Sequence, residues 1–103
     1  MRMLLKAEWD IEAGNKVMQS GKLPGYIKSI LGEMKPEAAY FVALNGKRCA
    51  LIFFDLKDPS HLPAVAEPWF MLFNAAITVC PAMTPEDLAK AGPGIEKALK
   101  KYA

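Results

Sequence analysis

The stretch that decides the fold is Ala38-Ala39-Tyr40-Phe41-Val42-Ala43-Leu44-Asn45-Gly46-Lys47-Arg48-Cys49-Ala50-Leu51-Ile52-Phe53-Phe54-Asp55-Leu56. Two β-prone runs, Ala38 to Leu44 and Arg48 to Leu56, flank Asn45-Gly46. Both turn residues tolerate the positive φ that a type I′ hairpin turn demands. A two-residue loop pairs Leu44 with Lys47, Val42 with Cys49, Tyr40 with Leu51 and Ala38 with Phe53. The opposite face then carries Ala39, Phe41, Ala43, Arg48, Ala50, Ile52 and Phe54. Away from the turn both faces are apolar, which a hairpin wet on one side would not be. The domain's own helices can cover one face. The other needs a second cover: the larger residues Tyr40, Leu51 and Phe53 favour theirs, and Phe41, Ile52 and Phe54 on the opposite face are nearly as good a choice.

Upstream, Met3, Leu5, Ala7 and Trp9 alternate with Leu4, Lys6 and Glu8, which predicts a first strand. Asp10 or Asn15 can cap the helical stretch after it. Ile11 to Met34 reads as helix interrupted by Gly14, Gly21, Pro24 and Gly25. Its stronger piece is Pro24 to Met34, with Ile27, Ile30, Leu31 and Met34 on one stripe. Lys35-Pro36 ends it, because a residue before proline avoids the helical region.

Downstream, Asp58-Pro59-Ser60 opens a helix carrying Leu62, Val65, Ala66, Trp69, Phe70 and Phe73 at helical spacing. Pro68 lies inside that helix and should bend it, freeing the carbonyl of Ala64. Asn74 ends it. Ala76 to Ala82 is a fourth strand, with Pro81 at an end or edge. Thr84-Pro85-Glu86-Asp87 has the form of a helix start. Gly92-Pro93-Gly94 is expected to break that helix. A last helix comes after the break, with Ile95, Ala98, Leu99 and Tyr102 on one side.

The expected order is strand, helix, strand, strand, helix, strand and a helical tail. This predicts an α+β fold, the ferredoxin-like βαββαβ arrangement, as one domain over residues 1–103 with residues 83–103 a C-terminal helical extension. Helices on one sheet face only leave the other bare. Hydrophobic residues make up 52% of the 103, a surplus that a body this small cannot bury alone. A sheet-to-sheet homodimer is therefore expected.

The net charge of +2, from 13 basic and 11 acidic side chains, points to neither nucleic acid nor membrane as partner. Lys97, Lys100 and Lys101 read as a solvated helix face. Lys6 and Glu8 interrupt any signal-peptide run, so a cytoplasmic location is the expectation. Cys49 and Cys80 lack a second pair for zinc, and no metal or cofactor is expected. In the ferredoxin-like order they lie about two strand spacings, ~10 Å, apart, too far for a disulfide. Buried structural thiols are the favoured reading.

The segments Lys35-Pro36-Glu37-Ala38-Ala39-Tyr40-Phe41, Asn45-Gly46-Lys47-Arg48, Ala66-Glu67-Pro68-Trp69-Phe70 and Met83-Thr84-Pro85-Glu86-Asp87-Leu88 together resemble a family of small bacterial domains of unknown function. That family is similar to the dimeric α/β-barrel superfamily, in which two ferredoxin-like sheets face each other. The superfamily includes cofactor-free monooxygenases, muconolactone isomerase, haem-dependent chlorite dismutase and stress-responsive proteins. The resemblance implies the fold and the dimer, and an active cavity between sheet and helices.

Few residues suggest chemistry. His61, the only histidine, falls in a first helical turn, where an exposed or capping role is the favoured reading. Glu67-Pro68-Trp69 sets a carboxylate beside an aromatic wall and a broken helix, a candidate ligand corner. Its alternative is core Trp69, solvated Glu67 and a simple bend. Tyr40 could offer a hydroxyl and Arg48 could bind an anion, or both could sit at a dimer rim. The candidates are thus Glu67, Tyr40 and His61 for proton handling, and Trp69, Phe73 and Arg48 for ligand contact. The expected function is a homodimeric binder of a compact apolar molecule, which a cofactor-free enzyme of the dimeric α/β-barrel type would also be. The alternative is a structural or regulatory dimer without catalysis; an electron-transfer or haem protein ranks third.

Overall fold

A computed structural model describes residues 1–103. Strand β1 (Arg2–Glu8) leads into helices α1 (Ile11–Ser20) and α2 (Leu23–Met34). The hairpin of β2 (Ala38–Leu44) and β3 (Lys47–Asp55) comes next, then a 3-10 turn (Pro59–His61) and helix α3 (Leu62–Phe73). Strand β4 (Ala76–Pro81) precedes helices α4 (Pro85–Lys90) and α5 (Gly92–Tyr102). The four strands form one antiparallel sheet in the order β2-β3-β1-β4, with β1 and β3 in the centre. The architecture is α+β and compatible with a ferredoxin-like fold. No helix is long and apolar enough to cross a membrane.

Local chemistry sets the boundaries. Asn45 and Gly46 both take positive φ, 54° and 74°, and the hairpin register is Leu44–Lys47, Val42–Cys49, Tyr40–Leu51 and Ala38–Phe53, as the turn requires. Asp10 caps α1 by accepting from the Ala13 N–H at 2.9 Å. Lys35 and Asn74 end α2 and α3 in the left-handed conformation. Thr84 and Asp87 form a reciprocal capping box at α4. Helix α3 runs through Pro68. Two expectations are corrected. Gly92-Pro93-Gly94 does not precede the last helix but opens it; a proline in a first turn lacks only an N–H that would be unpaired anyway. Cys80 is exposed, not buried, because it lies on an edge strand.

The pleat separates two unlike sheet faces. Met3, Leu5 and Ala7 on β1 stand opposite Phe54, Ile52 and Ala50 on β3. With Trp9 they join Val17 of α1, Ile30 of α2, and Trp69 and Phe73 of α3 in one buried cluster. The helices therefore cover this face. The other face carries Leu4, Lys6, Glu8, Ala38, Tyr40, Val42, Cys49, Leu51, Phe53, Thr78 and Cys80, with no helix over it. The side bearing Phe53 is thus the uncovered one.

Candidate functional site

The best-formed site grows out of Arg48. As an even-numbered residue of β3 it points to the helix-covered side, while Tyr40 points to the open one. Two backbone bonds fix its surroundings. The Trp9 N–H donates to the Arg48 carbonyl at 2.9 Å, and the Asp10 N–H donates to the Phe73 carbonyl at 3.1 Å. They tie the end of β1 to β3 and the start of α1 to the end of α3.

The guanidinium then lies along α1. Its Nη2 donates to Asn15 Oδ1 at 3.0 Å. Its Nη1 passes so near Gly14 that a Cβ there would stand 2.8 Å away. No carboxylate pairs with it. Arg48 is half-buried, so it is a cation partly withdrawn from water with only an amide oxygen as partner. Guanidinium forks match carboxylate and phosphate oxygens, and an anion is what this arrangement lacks.

Beside Arg48 the helices fall short of the hairpin tip. A cleft of about 540 Å³ remains between α1–α2 and β2–β3, and eight of its ten lining residues are hydrophobic. Trp9, Met18, Leu23, Ile27 and Phe41 make most of its wall. The other two lining residues are Arg48 and Cys49, and no carboxylate, imidazole or hydroxyl lines the cleft. Met18 and Phe41 are about half exposed, at 49% and 48%, so the cleft is open to solvent. Behind Trp9 lies an aromatic stack: Trp9 and Phe73 have ring centroids 4.0 Å apart, and Trp69 and Phe73 5.5 Å. Both indole N–H groups are buried without an acceptor in the chain, a cost of about 1–3 kcal/mol each.

The sequence-predicted residues scatter around this cleft. Arg48 lines it. Trp69 and Phe73 are fully buried and back its wall through Trp9 without reaching it. Glu67 is exposed and borders a shallow groove between α3 and β4. Tyr40 is 59% exposed on the open sheet face. His61 is exposed and lines a separate hollow of about 570 Å³ with Pro68, Ile30, Glu33, Lys35, Asp55 and Lys57 among its walls. The two acids and two lysines there balance, so that hollow offers an ionic ligand no net preference. Glu67, Tyr40 and His61 are thus on three different surfaces. Sequence reasoning missed Trp9, Gly14, Asn15, Met18 and Leu23 as site residues. The one available signal was Gly14, a glycine inside a helix, which often marks a close approach.

On the open face, burial pushes the Cys49 thiol up, with Lys6 opposing and Glu8 adding to the effect. Lys47 pairs with Glu8 at 3.5 Å nearby. Nowhere does the chain gather three or more His, Cys, Asp or Glu in a metal-holding group. Compared with models of known families, with characterised proteins and with solved structures, the chain matches none.

Proposed function

We propose that the protein binds a compact, mostly apolar molecule bearing one anionic group, and that it does so as a homodimer joined through the open sheet face. The observation that carries the ligand reading is Arg48, a half-buried guanidinium without a carboxylate at the mouth of a cleft whose walls are otherwise hydrophobic. An apolar body would displace water from the Trp9, Met18 and Phe41 surfaces, at about 25 cal/mol per Å² buried. The anionic end would take the spare donors of Arg48. The proposal is one of binding: the cleft lining offers no carboxylate, imidazole or hydroxyl, and burial pushes the thiol of its one cysteine, Cys49, up. A dimeric α/β-barrel arrangement agrees with the sheet order and with the apolar open face. The filled core beneath α3 favours a second reading, a structural or regulatory dimer without ligand.

Calorimetric titration of the purified protein with 3-phenylpropionate and with 3-phenylpropanol tests the ligand reading. The acid should bind and the alcohol should bind at least tenfold more weakly. Arg48→Met should erase the difference and Arg48→Lys restore part of it. Equal affinity for acid and alcohol in the native protein would refute it. For the dimer, sedimentation equilibrium of Phe53→Asp should show dissociation with the circular dichroism of the native fold retained; an undiminished dimer would show that the pair forms elsewhere.

A further inference from the structure

Helix α2 borders two openings. Leu23, Pro24 and Ile27 in its first half line the cleft beside Arg48. Ile30, Glu33, Met34 and Lys35 toward its other end line the hollow of about 570 Å³. Ile30 is its one buried residue, whereas α3, of the same length, buries Ala66, Trp69 and Phe73. Protein interiors are otherwise packed as tightly as organic crystals. A helix with open space at both ends and one buried side chain between them has room to move and little to hold it. Its two connections are unlike. At the entry, Gly21 takes φ 73°, and a Cβ there would meet nothing within 4 Å. The Ser20 hydroxyl donates to the Val17 carbonyl at 2.7 Å and accepts from the Lys22 N–H at 3.1 Å, so these bonds reach no further than α1. No side chain caps the first turn of α2. Past the exit, the Glu37 N–H donates to the Phe53 carbonyl at 2.9 Å and ties the chain to β3. The helix is held from Ile30 onward and free at Leu23.

We propose that α2 is a lid on the cleft, which tilts about Ile30 and brings Leu23 and Ile27 down on a bound molecule. The purpose of the lid rests on the ligand reading above; the tilt itself rests on packing alone. Leu23 precedes Ile30 by seven residues, a lever of about 10 Å, and a tilt of about 20° carries its tip about 3.5 Å. That is close to one carbon–carbon contact distance, enough to turn an open wall into a touching one. The hollow at the other end supplies the space that the tilt needs. With the lid open, Met18 and Phe41 are half exposed, and a ligand between them stays half in water. With it closed, Leu23 and Ile27 shield both the apolar body and the Arg48 ion pair, and a pair withdrawn from water is stronger.

The test is methyl relaxation dispersion by nuclear magnetic resonance on the full chain, which reads motions of microseconds to milliseconds. The Leu23 and Ile27 methyls share the cleft with the Trp9 and Phe41 rings, so a tilt alters their ring-current shifts. Both should show dispersion in the ligand-free protein, while Val17 of α1 and Ile52 of β3, buried in the core, should be flat. Saturating 3-phenylpropionate should abolish the dispersion at Leu23 and Ile27. Ala64→Phe should abolish it without ligand, and Ala64→Met repeats the test with a smaller, flexible filler. Ala64 is exposed in the hollow and absent from the cleft, so its effect on Ile27 must travel through α2. Flat profiles at Leu23 and Ile27 in the ligand-free native protein overturn the lid. Dispersion that persists when calorimetry shows the acid bound, or that both Ala64 variants leave unchanged, overturns it as well. If the acid does not bind, yet the dispersion is present and filling the hollow removes it, the ligand reading falls while the moving helix stands.

Discussion

Replacing Gly14 with alanine sets two effects of similar size against each other. Alanine favours a helix over glycine by about 0.8–1.0 kcal/mol at an interior position. No left-handed φ is needed at Gly14, so the backbone accepts the change. Against this gain, the new Cβ would stand 2.8 Å from Arg48 Nη1, inside van der Waals contact, and the guanidinium must shift. It is the far end of a flexible side chain, so the shift is cheap in packing. It does lose the 3.0 Å bond to Asn15, worth about 1 kcal/mol. The net change in stability should therefore fall within about 0.5 kcal/mol of zero, read by urea unfolding with circular dichroism as the signal. Binding of 3-phenylpropionate should meanwhile weaken about tenfold, because Arg48 no longer lies where the cleft needs it. A stability loss above about 2 kcal/mol would show that Arg48 is clamped by packing and has no freedom to serve a ligand. Unchanged affinity would show that its place against α1 is irrelevant to binding.

Other expectations rest on burial and on the charged ends of the sheet. Leu5 is fully buried opposite Ile52; Leu5→Ala should cost about 3–4 kcal/mol by urea unfolding, and a loss under about 1 kcal/mol would contradict the packing described. Cys49 is buried with its thiol pushed up by that burial, while Cys80 is exposed. Iodoacetamide should label Cys80 well before Cys49 in the native protein, and equal rates by mass spectrometry would place Cys49 at the surface. The Thr84 N–H holds the Asp87 carboxyl below the usual aspartate value, and the N-terminal ammonium does the same for Asp55. A depressed folded value means a contribution present above the unfolded value of about 3.9 and lost as pH falls through the folded one. Acidification below about pH 4 should therefore loosen the α4 cap, seen as movement of the Thr84 amide resonance; a resonance constant down to about pH 2 would contradict the capping box.

The hairpin and its register were legible because each rests on local chemistry, whereas both of its faces read as apolar and only the packing of the helices tells them apart. Asn45-Gly46 sets the turn, the turn sets the pairing, and side-chain alternation does the rest. The caps at Thr84 and Asn74 were legible for the same reason, and Asp10 was one of two candidates with Asn15. Three-dimensional placement was not. Periodicity puts Trp69 and Phe73 on an apolar stripe, but only the packing of α1 over the sheet decides that they are buried and that Trp9 is the ring left beside the cleft. Glu67-Pro68-Trp69 is contiguous in sequence, yet a helix turns neighbours about 100° apart, which sends Glu67 outward and Trp69 inward. Arg48 had two readings, rim or ligand, and strand parity together with the helix-covered face places it on the cleft side. The C-terminal helical extension was expected, but not that its stripe is uncovered, since an amphipathic stripe looks the same whether or not its own body covers it.

The stack of Trp9, Phe73 and Trp69 has an optical consequence. It holds both tryptophans of the chain, with their ring centroids 6.4 Å apart. At that separation excitation passes readily between the indoles, and their coupled transitions should give a strong near-ultraviolet dichroic signal. Trp9 touches the cleft and Trp69 lies wholly inside. Intrinsic emission thus reports a deep chromophore and a ligand-facing one as a single unit. A quencher seated in the cleft would darken both, and unfolding would uncouple them.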